Sequence, residues 1–420
     1  MRLERLNFDI DRVVFGEKSL IDGSTLIISK PGIEQIAGSD AFLRVEVLIA
    51  APGSGARILN VGDVTQPTVR IGEEDTTFPG LLGKMHTVGE GRSAMLRGVV
   101  VTEVVEVLLD ITSLLQLSGE AADVSELADM WHVAVDAYPA PGIARYEYLD
   151  ALHLASKRVA KYLASLACGL EPDETESFEL EREVPDGLPR VAYLANVFCH
   201  RPCTETLVYG ASMVESLPTI LHPNEILDGA LTSRDYDNSS NADPTYIWQN
   251  HPVILELYRR HGIDLDFAGV VVSNVHHELL WKERNAIMAS ALLNNNLRAD
   301  AVIITKEGGG HPQVEVGIAA DTLEGRYGIK TALILVEMLS EVNDSYGQII
   351  FRSAYADAMV STGCTAYATL PAPEKVIGTI WSERMDNSMG DKDSEMSVNH
   401  RIIRGGQSQL GWTRYGSLKF

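Results

Sequence analysis

The sequence predicts an α/β protein in two lobes: an N-terminal β-rich domain, barrel- or sandwich-like, and a C-terminal doubly wound parallel sheet. Two observations predict this. Residues 1 to about 110 contain short β-branched runs, such as 44–51 (RVEVLIAA) and 98–105 (GVVVTEVV), punctuated by Pro31-Gly32, Pro52-Gly53-Ser54-Gly55 and Phe78-Pro79-Gly80. Runs of that length between turn residues make strands and tight turns. After Pro189 the apolar runs are continuous, at 191–197, 269–275, 301–305 and 332–336, and helical segments separate them. Apolar strands alternating with helices indicate a parallel sheet covered on both faces.

Between the lobes, Leu149, Leu152, Ser156, Ala160 and Leu163 recur at spacings of three and four. They predict an amphipathic helix over 144–167, stopped by Gly169 with Pro172 beyond. Residues 171–186 carry eight carboxylates and one Arg, which reads as a solvated linker because like charges repel and stay hydrated. Further helices are predicted at 252–261 and 279–295, with a shorter one after Val316. The expected domains are 1–120 (β-rich), 121–189 (helical connection and acidic linker), 190–375 (α/β) and 376–420 (short strands and tail). The tail has glycines at 405, 406 and 411 and is expected to return to the first domain.

Composition narrows the function. With 35 Lys+Arg against 58 Asp+Glu the net charge is −23. So acidic a surface repels phosphate, which argues against nucleic acid and anionic membrane as partners. No apolar run of about 18 residues predicts a transmembrane helix, and the start, Met1 to Arg5, lacks the apolar region of a signal peptide. Four cysteines, at 168, 199, 203 and 364, are too few for a disulfide framework and fit a reducing cytoplasm.

In an open parallel sheet, ligands bind beyond the carboxyl ends of the strands. Those ends here run into Cys199-His200-Arg201-Pro202-Cys203, His276-His277-Glu278, Lys306-Glu307-Gly308-Gly309-Gly310-His311 and Glu337. His200, His276, His277, His311 and Glu337 are therefore candidate ligands of a divalent, zinc-like metal. His276, His277, His311, Glu307 and Lys306 are the candidate catalytic residues. Adjacent His276 and His277 point about 100° apart at a helix start, so one of the two is expected to reach a shared ion. Cys199 and Cys203 do not have Cys-x-x-Cys spacing and read as buried, inert thiols. The triple glycine lacks the Lys-Ser/Thr of a phosphate-binding loop and reads as a backbone bend near a ligand.

Several segments carry a family resemblance: Met1 to Glu4 through Val14 to Glu17; Phe78-Pro79-Gly80 with Thr87 to Arg92; Pro223 to Ala230; Asp243 to Tyr246 with Gln249, Asn250 and Pro252; Tyr258 with Arg260-His261-Gly262; and Lys375 to Thr379. Over nearly its whole length the chain resembles the component B subunit of glycine, sarcosine and betaine reductases that is made as a proprotein. The resemblance implies reductive cleavage of a carbon–nitrogen bond. It also implies self-cleavage before a Cys that becomes a pyruvoyl group, and a selenoprotein-like partner that supplies the nucleophile. The family's cut falls in the loop after Ala230, and by register its Asn-Cys lands on Asp235-Tyr236. That loop contains no Cys. Ser239 and Ser240 have the acyl-shift chemistry a pyruvoyl precursor needs but stand out of register, so an uncleaved chain without pyruvoyl is expected.

The function expected is thus a subunit of a glycine/betaine-reductase-like complex, acting on a small amine or amide substrate beside a second reductase-like subunit. The alternatives are a metal-dependent enzyme cleaving or rearranging a carbon–nitrogen bond on the same scaffold, and a non-catalytic substrate-binding or structural subunit.

Overall fold

A computed structural model describes residues 1–109, 112–180, 184–236, 242–336, 351–362, 367–381, 391–412 and 418–419. In the first lobe, the strands form two open four-stranded sheets beside smaller three-stranded ones, and no closed barrel among the described residues. One sheet runs Glu174–Glu179, Arg2–Asp9, Gly91–Arg97, Thr68–Arg70; the other runs Phe42–Ala50, Trp131–Pro139, Val99–Val105, Val61–Thr65. Both sheets share one core with the long helix Arg145–Ser165, whose Leu149, Leu152, Val159 and Leu163 pack with Ala94, Leu96, Val101 and Val133. The apolar stripe that predicts this helix is the face it buries.

The acidic stretch read as a linker contains a strand. Glu174–Glu179 pairs antiparallel with Arg2–Asp9 at the sheet edge. Its carboxylates face cations and donors on neighbouring strands: Arg97 binds Glu174, and Asn7 Nδ2 donates to Glu176 at 2.8 Å. Phe178, the one aromatic of the strand, is buried and pins it to the core. The tail does return to the first lobe: Lys375–Ile377 pairs in parallel with Ala56–Leu59.

In the second lobe, five strands run parallel: Arg190–Arg201, Asp266–Val275, Ala301–Lys306, Lys330–Leu335 and Met359–Ser361. Across the sheet their order is second, first, third, fourth, fifth. That is the doubly wound arrangement whose strand order reverses between the first and third strands. Alternate side chains of the first strand face opposite cores. Tyr193 and Ala195 pack with Val253, Ile254 and Leu257 of the helix Pro252–Arg260. Ala192 and Leu194 pack with Ala286, Ala289 and Leu293 of Leu279–Asn295 and with Val316 and Ala319 of Gln313–Thr322. Burial on both faces is why these strands read as unbroken apolar runs. Truncating Leu194 to Ala costs about 2–5 kcal/mol by transfer and cavity formation together.

Candidate functional site

Two polar constellations stand out, one at the strand ends of the second lobe and one at the junction of the lobes. At the strand ends, His200, His277 and His311 each offer a ring nitrogen, and the three nitrogens lie within 4.8 Å of one another. They come from the first, second and third parallel strands, around the point where strand order reverses. The first strand runs on past Val197 through His200 to Arg201 before turning into Thr204–Val208. The loop carrying His311 bends sharply over it. Gly308 has φ +84°, and a Cβ there would meet the Phe198 ring at 2.7 Å, so only glycine lets the backbone pass. The Phe198 ring in turn lies 4.0 Å from that of His200.

The ring centroids are 3.6 Å apart for His200 and His277, 5.4 Å for His200 and His311, and 5.3 Å for His277 and His311. Burial first, then the neighbouring His277, holds the His200 imidazole down to about 3. Burial and the Lys282 ammonium hold His311 down to about 4. Both rings are neutral near pH 7, the form that ligates metals. The Nε2 of His200 is buried and has no hydrogen-bond partner.

The other predicted residues are placed elsewhere. His276 turns away: its ring stacks on Trp281 at 4.9 Å, and its Nδ1 accepts from the Glu278 amide at 3.1 Å. Of the adjacent pair, His277 is thus the one that joins the trio. Lys306 is buried and donates to the Gly308 carbonyl and to Gln409 Oε1 at 3.1 Å. Burial lowers it to about 7. Glu307 is buried and accepts from the Phe198 amide (2.8 Å), the Thr206 hydroxyl (2.8 Å) and the Asp243 amide (3.1 Å). Burial without a cation pushes its carboxyl up to about 8. These two residues tie the tail, at Gln409, and the backbone at Asp243 to the sheet. Glu337, Ser239 and Ser240 lie outside the described residues. Cys199 and Cys203 are buried, and burial pushes the Cys199 thiol up to about 12.

The second constellation joins residues far apart in sequence. Asp63, Glu103, His153, Ser156, Lys157 and Tyr236 are all buried together at the lobe junction. Lys157 Nζ lies 2.6 Å from Asp63 Oδ2 and 3.5 Å from Glu103 Oε1. Glu103 also accepts from the Ser156 hydroxyl at 2.5 Å, the Tyr236 hydroxyl at 2.6 Å and the Asp63 amide at 3.0 Å. Burial would raise the Glu103 carboxyl, but Lys157, then His153 and Ser156, outweigh it and hold it below its ordinary range. Burial and Glu103 hold the Tyr236 phenol well above its own. One ligand atom each of Asp63, Glu103 and His153 also falls within 4.8 Å, yet here the Lys157 ammonium already supplies the cation.

This cluster holds the described residues on either side of 237–241. Tyr236 binds Glu103 on one side; on the other, Thr245 gives its amide (2.8 Å) and hydroxyl (2.5 Å) to Asp63. Gly62 permits the close approach, since a Cβ there would meet Glu103 Oε2 and the Tyr236 ring at 2.8 Å. The segments that carry the family resemblance meet beside it. Asp228 pairs with Arg70 and accepts from the Gly89 amide (2.8 Å) and the Ser93 hydroxyl (2.6 Å), while Asn224 donates to the Gly89 carbonyl at 3.0 Å. The sequence did hold a signal for the cluster. Glu103 interrupts an apolar strand, and His153 and Lys157 sit one helical turn apart beside an apolar stripe. Charge inside an apolar run has to be paired if it is buried.

The chain is 30% identical to the glycine reductase complex component B subunits alpha and beta of Acetoanaerobium sticklandii, over 99% of each chain. It is 31% identical to the sarcosine reductase complex component B subunit alpha of Peptoclostridium acidaminophilum, over 90% of each. To the betaine reductase complex component B subunit alpha of the same organism it is 29% identical, over 98% of each. No solved structure matches significantly. Among the described residues, no helix is long and apolar enough to cross a membrane. The family model for glycine/sarcosine/betaine reductase component B subunits matches residues 1–417, and the chain belongs to that family.

Proposed function

We propose that the chain is a subunit of a reductase complex of its family's kind, working as an intact polypeptide on a small amine, amide or related carbon–nitrogen substrate. Its partner is a second reductase-like subunit that supplies the nucleophile, and it carries no Cys-derived pyruvoyl group. The observation that carries this reading is Tyr236. By the ungapped register that the resemblance implies it takes the place of the family's processing Cys, and it is buried, with its hydroxyl on Glu103.

Pyruvoyl formation needs a side chain that first accepts the acyl group and is then eliminated, which a Cys or Ser does. A phenol does neither. Asp235 and Tyr236 therefore do not fit that group, and no step through it is derived. What the site keeps is its framework: Lys157 balances the two carboxylates, Glu103 and Asp63 hold the described residues on either side of 237–241, and the enclosing core keeps water out. Such a preorganised environment stabilises a charge developing at the loop more than bulk water can.

Denaturing mass spectrometry of the purified chain tests the first half, with a single species of 45.9 kDa expected. Two fragments with a blocked residue 239 or 240 would overturn it. The second half is tested by combining the intact chain with its partner subunit and a dithiol reductant. Reductive release of amine from a small amino-acid-like substrate is expected. No turnover with glycine, sarcosine, betaine or simple amides would remove the reductase reading.

A further inference from the structure

We infer that His200, His277 and His311 form a binding site for one zinc-class divalent cation, with a fourth coordination position open to solvent. The inference rests on the donors alone and stands apart from the reductase reading. Three imidazoles, one on the first strand and two on the loops after the second and third, converge with their ring nitrogens within 4.8 Å of one another. A tetrahedral ion with Zn–N bonds of about 2.0–2.1 Å spaces its ligands somewhat closer than that limit. His277 and His311 are exposed side chains, so swinging them onto an ion needs rotamer changes and no backbone movement. The His200–His277 ring contact of 3.6 Å has to open as they do so.

Two further features point to a ligand. His200 Nε2 is buried and unpartnered, and a buried polar atom left so costs about 1–3 kcal/mol unless something binds it. A cation held through that nitrogen would satisfy it. Beneath the trio, Glu315 and Lys282 form a buried pair at 2.6 Å. Glu315 Oε1 also accepts the His276 amide at 2.8 Å, and Lys282 Nζ reaches the His311 carbonyl at 3.4 Å. One ion pair thus fixes the backbones of both loops that carry the exposed ligands. Sites with three neutral His ligands keep a position for water or a small ligand, whereas closed four-ligand sites do not. At the reversal of strand order, where open α/β sheets bind their ligands, that position faces the solvent-exposed side of the trio. Water, a carboxylate or another small anion is the class of ligand it takes.

The experiment is titration of the metal-free chain with Co2+, read by visible absorption. One equivalent with the intense bands of a four-coordinate ion is expected, along with displacement by Zn2+ and a band shift on adding azide. His277→Ala and His311→Ala each weaken binding by at least about 100-fold, more than loss of an outer-shell partner costs, while His276→Ala leaves it unchanged. Circular dichroism checks that the variants are folded, and the Zn2+ displacement on the native chain needs no variant. Substoichiometric Co2+ at metal excess, or one equivalent retained by the His277→Ala/His311→Ala double variant, would overturn the site. Bands that do not respond to azide would overturn the open position.

Discussion

The junction cluster and the histidine trio are opposite solutions to placing titratable groups at a site. At the junction every charge is buried and answered: Lys157 faces Asp63 and Glu103, and Tyr236, Ser156 and Thr245 fill the remaining acceptor sites. At the strand ends three imidazoles face one another, two of them exposed, and the buried nitrogen of His200 is unanswered. A cluster whose charges are paired holds a chain segment and fixes a conformation, although its His153 Nε2 is buried without a partner. An open one is built to receive something. The comparison teaches that burial alone does not mark a binding site; donors that face solvent with no cation among them do.

The largest way to break it is Lys157→Met. This removes the ammonium and leaves two buried carboxylates 2.6 and 3.5 Å from where it was. Breaking a buried ion pair from one side costs about 3–5 kcal/mol, and urea unfolding should show a loss of that size. A loss below about 1 kcal/mol, the range of an exposed pair, would mean that the cluster is open to water in solution.

Tyr236→Phe is the next step down. Glu103 keeps Ser156 and the Asp63 amide, so one hydrogen bond to a charged acceptor is lost, worth about 1.5–3 kcal/mol. A double-mutant cycle with Glu103→Gln sharpens the result, since residues in direct contact couple by about 0.5–3 kcal/mol. Additive effects would place the hydroxyl elsewhere.

How much of this was legible in sequence differs between the two regions for a physical reason. The second lobe was readable because its strands are buried on both faces and its helices are punctuated; the helix predicted at 279–295 is observed as Leu279–Asn295. Strand ends then pointed to His200, His277 and His311. The strand order was not readable, because pairing partners leave no mark in a single chain. Glu174–Glu179 was hidden by its own charge, since only its alignment on Arg2–Asp9 shows what answers the carboxylates. The junction cluster was hidden because Asp63, Glu103, Lys157 and Tyr236 are distant in sequence, and their common property is a polar group inside an apolar stretch. Reading Lys306 and Glu307 as rim chemistry followed from the same strand-end rule. The structure commits both to the neighbouring backbone and tail.

Glu307 offers a contrast within one residue type. Glu103 has a cation at hand and is held below its ordinary range; Glu307 has none among the described residues and is pushed up to about 8. From 4.5 to about 8 the folded state therefore binds a proton at Glu307 that the unfolded chain has released. Stability from this group is fully present below 4.5 and is lost as pH rises through that window. Lys306 runs the other way. It is neutral in the fold above about 7 while the unfolded chain keeps its proton to 10.5, so its contribution rises with pH there. Between 4.5 and about 7 Glu307 adds a loss of stability with rising pH beside Asp136 and Asp243, which are raised to about 7 and about 6, and Glu307→Gln should remove its share of the slope in thermal unfolding across pH. An unchanged slope would show that Glu307 is ionised in the fold.

The smallest expected effect is the most discriminating within the trio's own neighbourhood. His276 is the immediate neighbour of His277, yet it stacks on Trp281 and accepts from the Glu278 amide. His276→Ala removes a partly exposed ring contact, and surface substitutions of that kind change stability by less than about 0.5 kcal/mol. His277→Ala should be equally mild in the absence of metal, because its ring is exposed. The two variants therefore separate only when a divalent ion is added: Zn2+ should raise the melting temperature of His276→Ala as it does that of the native chain, and should not raise that of His277→Ala. Equal responses from both would mean that the ion, if bound, is held by the loop rather than by the ring that faces His200.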